Sequence, residues 1–368
     1  MQKQNTNVQN ADLNGIKNTY YVPTMKEIES TPYNGYDVVS TFSGGGGSCL
    51  GYRMAGYHVI YANEFVEEAQ KTYRANHKDT YLDCRDIRTV TPESILELTG
   101  KKKGEIDLFD GSPPCCAFST AGKREKGWNK EREYSDGKKQ KIEDLFEEYI
   151  RLLNGLQPKT FVAENVSGMV KGKAIGYFKY YLSKMKSCGY NVEAKLLNAK
   201  WLGVPQARER IIFIGVRNDL NLLPVFPKPL KYTVSLKEAF RNIYNDEEER
   251  TELLKNYECS AVGRALRNIP KDPPKPTQSE RYFNLCRASM HTPAPTITQC
   301  GGSAAGACHP LEDRRFTIAE LKRITSIPDD FILTGSYRQR WERLGRMVPP
   351  IMMKHIAETI AENILCKV

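Results

Sequence analysis

From residue 36 the chain alternates short apolar runs with segments of helical spacing. YDVVSTF (36–42) reads as a buried strand, GGGG (44–47) as the tight turn leaving it, and SCLGYRMAG (48–56) as a helix. HVIYANEF (58–65) and VEEAQKTYRANH (66–77) repeat the pattern of strand and helix. EIDLFDG (105–111) is a further strand that ends in a loop rich in chain breakers. KIEDLFEEYIRLLNGL (141–156) has helical spacing, with Leu145, Tyr149, Leu152 and Leu153 near one face. TFVAENV (160–166), YNVEAKLLNA (190–199) and RIIFIGV (210–216) complete the strands. The alternation predicts an α/β fold, a mostly parallel sheet with helices on both faces. In such folds ligand sites gather at the carboxyl ends of the strands.

The flanks differ from this core. Residues 1–34 are polar and turn-rich and predict a peripheral N-terminal arm with one helix around MKEIES. The dense pattern covers 35–217, whereas 218–336 is rich in proline and turns and predicts a second, smaller and irregular domain. The segment 337–368 turns helical again from about 350, where Ile351, His355, Ile356, Ile360 and Ile364 recur at a spacing that would pack it back on the first domain.

Composition narrows the function. At 368 residues the chain can bury a large core and accommodate two domains. No run approaches 18 apolar residues and the start is polar, so the sequence predicts neither a membrane span nor a signal peptide. Ten cysteines without regular spacing suit a reducing, cytoplasmic setting better than a disulfide framework. A formal charge of +10 suits a polyanionic partner. With five histidines, no HExxH and no paired CxxC, no metal site is expected.

Strand, glycine turn, helix, strand and acid form a nucleotide-binding arrangement. Gly44, Gly46 and Gly47 can bring backbone close to a ligand where a Cβ would clash. Glu64, at the tip of the second strand, can accept both hydroxyls of a ribose. GxGxxG is not satisfied, because Cys49 and Leu50 stand where the third glycine would be due, so a smaller adenosine ligand is favoured over a dinucleotide. Phe65 could stack on the adenine and Asp86 could accept from its amino group.

GSPPCCAFS (111–119) places two thiols behind two prolines, and the pair alone does not distinguish metal binding, oxidation, packing or nucleophilic attack. Its surroundings do. GSPPCC, ENV (164–166) and QARER (206–210) lie at neighbouring strand ends, where a thiol, a carboxylate and arginines could treat a neutral heteroaromatic ring as an electrophile. Here the sequence resembles the cytosine-C5 DNA methyltransferases. The matching stretches, in the family's order, are TFSGGGGS, ANEF, RDIR, GSPPCCAFSTAGK, TFVAENVSGM, LNAKWLGVPQARER, TPAPTIT with RRFTIAELKRITSIPDDF, and LGRMVPP.

The resemblance implies an S-adenosylmethionine-dependent, Rossmann-like catalytic domain with a smaller target-recognition domain. It makes Cys115 the nucleophile, with Glu164, Arg208 and Arg210 as its catalytic partners. Phe42, Gly44, Gly46, Gly47, Glu64, Phe65, Asp86 and Pro114 fall on cofactor contacts. Ser119, Lys123, Arg124, Lys126 and Arg210 are implied DNA contacts, the lysines and arginine of 122–141 lying on a charged loop that would close over the duplex. Cys116 stands where the family usually has glutamine, and Arg346 where it usually has asparagine.

The implied chemistry is attack of the Cys115 thiolate on C6 of a flipped-out cytosine, with Glu164 acting at N3, so that C5 becomes nucleophilic and takes the methyl group. Double-stranded DNA is the expected partner, read by the region 218–295, and a restriction endonuclease of the same system is a further possible partner. A monomer without metal or membrane association is expected. A tRNA cytosine-C5 methyltransferase and an inactive nucleic-acid-binding protein are the competing readings. A nicotinamide dehydrogenase is disfavoured by the missing GxGxxG.

Overall fold

The computed structural model describes residues 20–114, 132–133, 139–140, 145–258, 260–282, 285–299 and 306–368. Its main sheet has seven strands: β1 (Asp37–Thr41), β2 (His58–Asn63), β3 (Tyr81–Asp83), β4 (Leu108–Gly111), β5 (Thr160–Val166), β6 (Tyr190–Asn198) and β7 (Glu209–Arg217). Running across it, β3, β2, β1, β4 and β5 pair in parallel. β7 then adds antiparallel to β5, and β6 antiparallel to β7. The expected mostly parallel sheet is therefore present, with one antiparallel hairpin at its edge.

Alternation along the strands sorts the side chains onto two apolar faces. Val39, Phe109, Phe161, Ala163 and Phe213 pack with α4 (Pro92–Thr99), α5 (Leu145–Leu156) and α6 (Ile175–Ser187). On the opposite face Val38, Leu108, Val162, Ile212 and Ile214 pack with α2 (Gly47–Met54), α3 (Glu67–Asn76) and the last helix, Pro350–Asn363. Ile356, Ile360 and Ile364 of the C-terminal segment are fully buried there, while Ile351 and His355 are half-buried.

β4 starts later than its apolar pattern suggests. The Asp107 carboxylate accepts the Asp37 backbone N–H at 2.9 Å and pairs with Lys159 Nζ at 2.8 Å, so a side chain replaces the first rung of the ladder.

The region after β7 is smaller and mainly helical, with α7 (Leu236–Ala239), α8 (Glu247–Glu258), α9 (Ala261–Arg267), α10 (Ile318–Ile324) and α11 (Tyr337–Arg346) preceding α12 (Pro350–Asn363). Leu236, Phe316, Leu321, Trp341 and Leu344 form a third core with Leu50 and Met54 of α2. Met25 and Ile28 of α1 (Met25–Glu29) join it, and Tyr20 Oη donates to Arg323 O at 2.7 Å, so the described part of the N-terminal arm is docked. No helix among the described residues is long and apolar enough to cross a membrane.

α2 and α12 approach closely because Gly51 has no side chain. A Cβ there would lie 2.5 Å from Pro350 O and 2.6 Å from Met353 Cβ. Gly51→Ala should therefore lower stability by about 1–3 kcal/mol in urea unfolding, the range typical of overpacking. Gly176 is helical and has open space around it, so Gly176→Ala should instead be neutral or stabilising by up to about 1 kcal/mol. Equal effects of the two substitutions would rule out the close approach as their cause.

Candidate active site

β1 delivers the chain into the glycine turn through a constrained residue. Phe42 adopts φ 54°, a left-handed conformation uncommon for a bulky side chain, and Gly44 and Gly46 follow at φ 57° and 92°. Three hydrogen bonds fix the turn. Ser43 N donates to Asn63 O at 3.0 Å, Gly46 N to Ser43 O at 2.9 Å, and Gly44 N to Glu64 Oε2 at 2.7 Å. Gly45 and Gly47 back onto Met347 and Val348, whereas a Cβ on Gly44 would point into open space. The turn thus has a packed side and an open side.

Glu64 stands just beyond β2, buried, with Oε1 accepting from Val66 N at 2.6 Å. Burial pushes its carboxyl up from the ordinary value, against the Val66 and Gly44 amides and the charge of Arg346. Phe65 is half-buried beside it. Asp86 caps the turn Ile87–Thr89 by accepting from Arg88 N at 3.0 Å, and pairs with Arg88 Nη1 at 3.2 Å. Arg346 ends α11 and pairs with Glu342 at 2.5 Å. Open backbone at Gly44, a buried acceptor at Glu64 and a half-buried aromatic at Phe65 fit an adenosine ligand.

Around the predicted chemistry, Glu164 lies on β5 and Arg210 on β7, and Arg210 Nε pairs with Glu164 Oε1 at 2.6 Å. Both side chains are largely buried. Arg210 Nη1 also donates to Glu209 O at 2.7 Å. β4 ends at Gly111, and Asn165 Nδ2 holds the following loop by donating to Pro113 O at 3.1 Å. Pro114 is the last described residue of that loop. Cys115, Cys116, Ser119, Lys123, Arg124 and Lys126 lie outside the described residues.

Arg208 is placed differently from its partner. Its guanidinium is buried and its Nη1 donates to Ile297 O at 3.1 Å and Gly345 O at 3.0 Å, with Nη2 at 3.4 Å from Arg346 O. Burial, then the Arg210 charge, weakens its hold on its proton. Those bonds fasten two distant segments to the sheet rather than presenting the side chain to the site.

Sequence reading named Glu64, Asp86 and Glu164 but missed a fourth acid. Asp110, at the end of β4, is 1% exposed, accepting from Ser40 Oγ at 2.9 Å and Tyr52 Oη at 3.0 Å. Burial pushes its carboxyl up to about 7, and Glu164 adds to that shift while the two hydroxyls oppose it. The signal was available: a charged residue at the inner end of the apolar run DLFDG. Among the described residues no group of His, Cys, Asp or Glu is arranged to hold a metal ion.

Residues 36–362 match the model of the C-5 cytosine-specific DNA methylases. The chain is 30% identical to type II methyltransferase M.NgoPII of Neisseria gonorrhoeae, over 92% of this chain and 99% of that protein. It is 31% identical to type II methyltransferase M.MthTI of Methanothermobacter thermautotrophicus, over 89% and 98% respectively. Among solved structures it superposes on a chain described as a DNA modification methyltransferase encoded within an E. coli prophage, with a TM-score of 0.70 at 20% identity over 90% of this chain and 99% of that one. A Spodoptera frugiperda DNMT2 variant gives 0.64 at 19% identity, over 89% and 99%. These two likenesses concern the fold alone. With the family model matching nearly the whole chain, the protein belongs to the C-5 cytosine-specific DNA methylases and is an S-adenosylmethionine-dependent DNA cytosine-C5 methyltransferase.

Proposed function

We propose that Cys115, Glu164 and Arg210 carry out methylation at C5 of a cytosine flipped out of a specific duplex DNA sequence. The observation that carries this reading is the Glu164–Arg210 ion pair at the strand end beside the loop that leads from β4 into Cys115. The Cys115 thiolate adds to C6 while Glu164 hydrogen-bonds or protonates N3, so electron density collects at C5. Arg210, with Nε on Glu164 and Nη1 on Glu209 O, orients that carboxylate and offers Nη2 to the base carbonyl or a phosphate. S-adenosylmethionine supplies the methyl group, which C5 takes by displacement. Loss of the C5 proton to water, return of a proton at N3 to Glu164 and expulsion of the thiolate from C6 then restore the aromatic ring.

The cofactor would be held by the open side of the Gly44–Gly47 turn and by Glu64, with Phe42, Phe65, Asp86 and Pro114 around it. Glu64 would exchange its backbone donors, or share them, with two ribose hydroxyls. Arg208 acts as a positioning residue through the carbonyls that it gathers. Residues 35–217 form the catalytic domain, 218–336 the target-recognition domain and 337–368 the segment packed back on the catalytic domain, with 1–34 as the arm. Lys123, Arg124 and Lys126, with Ser119, would engage the duplex from the loop after the nucleophile. In this reading the enzyme is cytoplasmic, acts on DNA as a monomer, and would protect sites from a companion restriction endonuclease.

Glu64→Ala should raise the cofactor dissociation constant roughly tenfold or more, because hydrogen bonds to a charged acceptor contribute about 1.5–3 kcal/mol. Calorimetry on the folded variant measures this, and unchanged affinity would remove Glu64 from the site. Exchanging 218–295 for another recognition region should change the methylated sequence and leave transfer dependent on Cys115. An active chimera that kept the original site would place base reading elsewhere.

The two cysteines should separate cleanly on DNA that carries 5-fluorocytosine at the target, where the C5 substituent cannot leave as a proton. Cys115→Ser should abolish both the trapped complex and turnover, since a serine hydroxyl is a much weaker nucleophile near neutral pH. Cys116→Ser should retain the adduct. Peptide mapping that found the adduct on Cys116 would overturn the assignment, as would transfer only to RNA.

A further inference from the structure

We propose that Asp110 provides a buried negative charge that makes the cofactor crevice favour the cationic sulfonium of S-adenosylmethionine over the neutral thioether of the product. The inference rests on the proposed cofactor site and concerns a residue to which that reading gives no role.

Position comes first. β1 and β4 are adjacent parallel strands, yet the helices that follow them, α2 and α5, pack on opposite faces of the sheet. That reversal opens a crevice outside the carboxyl ends of the two strands, where ligands of open α/β sheets bind. Asp110 pairs with Ser40 in the register, one residue before the last pair, Thr41 with Gly111. Beyond Thr41 the chain enters the glycine turn, and beyond Gly111 it enters the loop leading to Cys115. Asp110 therefore lies one residue below the strand ends from which the glycine turn and the chain toward Cys115 depart.

Its surroundings contain hydroxyls and acids but no paired cation among the described residues. Ser40 Oγ and Tyr52 Oη donate to the carboxylate, and Ser43 Oγ of the turn donates to Ser40 Oγ at 3.0 Å. Among the described residues, the other titratable groups within its field are Cys49 and Tyr52 of α2, Tyr149 of α5 and Glu164 of β5. None of these is positively charged. A buried carboxylate without a cation is costly to keep ionised. Hydrophobic neighbours such as Leu108 and Val162 would make an uncharged side chain the more stable choice here. Its carboxyl, pushed up to about 7, gains charge as the pH rises through neutrality. A ligand cation entering the crevice supplies the missing positive charge, and methyl transfer removes it again. Before transfer the acid favours retention of the cofactor, and after transfer it has no charge left to hold.

The test compares S-adenosylmethionine with S-adenosylhomocysteine by calorimetry on the protein without DNA, at pH 6 and pH 8. Adenosine and amino-acid contacts are common to both ligands, so their ratio isolates the sulfur charge. In the wild type the preference for S-adenosylmethionine should grow by about fivefold or more from pH 6 to pH 8, because the ionising carboxylate adds a Coulombic attraction that only the sulfonium feels. Asp110→Asn should lack that part of the growth. Tyr52→Phe removes one donor to the carboxylate and should move the onset of the preference to higher pH, which gives a second route if Asp110→Asn does not fold. The same ratio and pH dependence in wild type and variants would overturn the proposal. Failure of the wild type to bind either ligand would instead overturn the cofactor site on which it rests.

Discussion

The shared register of three parallel strands is the constraint on which the site depends. Ser40, Asp110 and Val162 face one another across β1, β4 and β5, so the chain leaves all three strands at neighbouring points. The glycine turn, the Pro113–Pro114 loop and the Glu164–Arg210 pair are assembled by that alignment and not by local sequence. A slip of one residue in β4 would turn Asp110 toward the apolar face that holds Phe109 and Phe161, and would carry Phe109 into the polar floor. The apolar alternation that builds the core thus also fixes which acids reach the site.

Two long-range closures keep the second region from disturbing this edge. Arg208 collects carbonyls from Ile297, Gly345 and Arg346, while Gln206 and Ala207 pair with Ala294 and Pro295. The chain therefore departs after β7 and returns at residue 294 to points clamped against the catalytic sheet. An arginine suits this role because its rigid guanidinium carries five donors and can serve several carbonyls at once. Segments inserted between clamped ends can vary in length and content at little cost to the scaffold. That arrangement suits the proposed placing of sequence reading between residues 218 and 295.

Six of the seven strands were legible in the sequence as apolar runs bounded by glycine, proline or acids, whereas β3, three residues with only Asp83 buried, offers no such run and was not read. TFVAENV matched β5 residue for residue, and the helix read over 141–156 is described from Leu145. Three features were hidden for definable reasons. The late start of β4 depends on Asp107 finding Asp37 and Lys159, partners remote in sequence. The diversion of Arg208 depends on carbonyls about 90 and 137 residues away, which no local pattern encodes. Asp110 was visible as an odd charge in an apolar strand, but its hydroxyl partners come from β1 and α2, which only the fold brings together.

Asp110 and Glu64 share a thermodynamic consequence. Burial raises both carboxyls above their ordinary values, so the folded protein holds these protons more tightly than the unfolded chain does. Such groups make stability fall as pH rises from the unfolded value, near 4 for a carboxyl, toward the folded one, which for Asp110 is about 7. Above that pH the loss is complete and constant. This is the opposite of a salt-bridged carboxylate with a depressed value, which stabilises the fold once ionised. Glu164 has Arg210 beside it, and Glu64 has two backbone amides and the Arg346 charge, whereas among the described residues the side chains that bond Asp110 are neutral hydroxyls. Of these three acids Asp110 is thus the least compensated by the described residues, and in the proposed site a cation that arrives and then vanishes would make its charge useful.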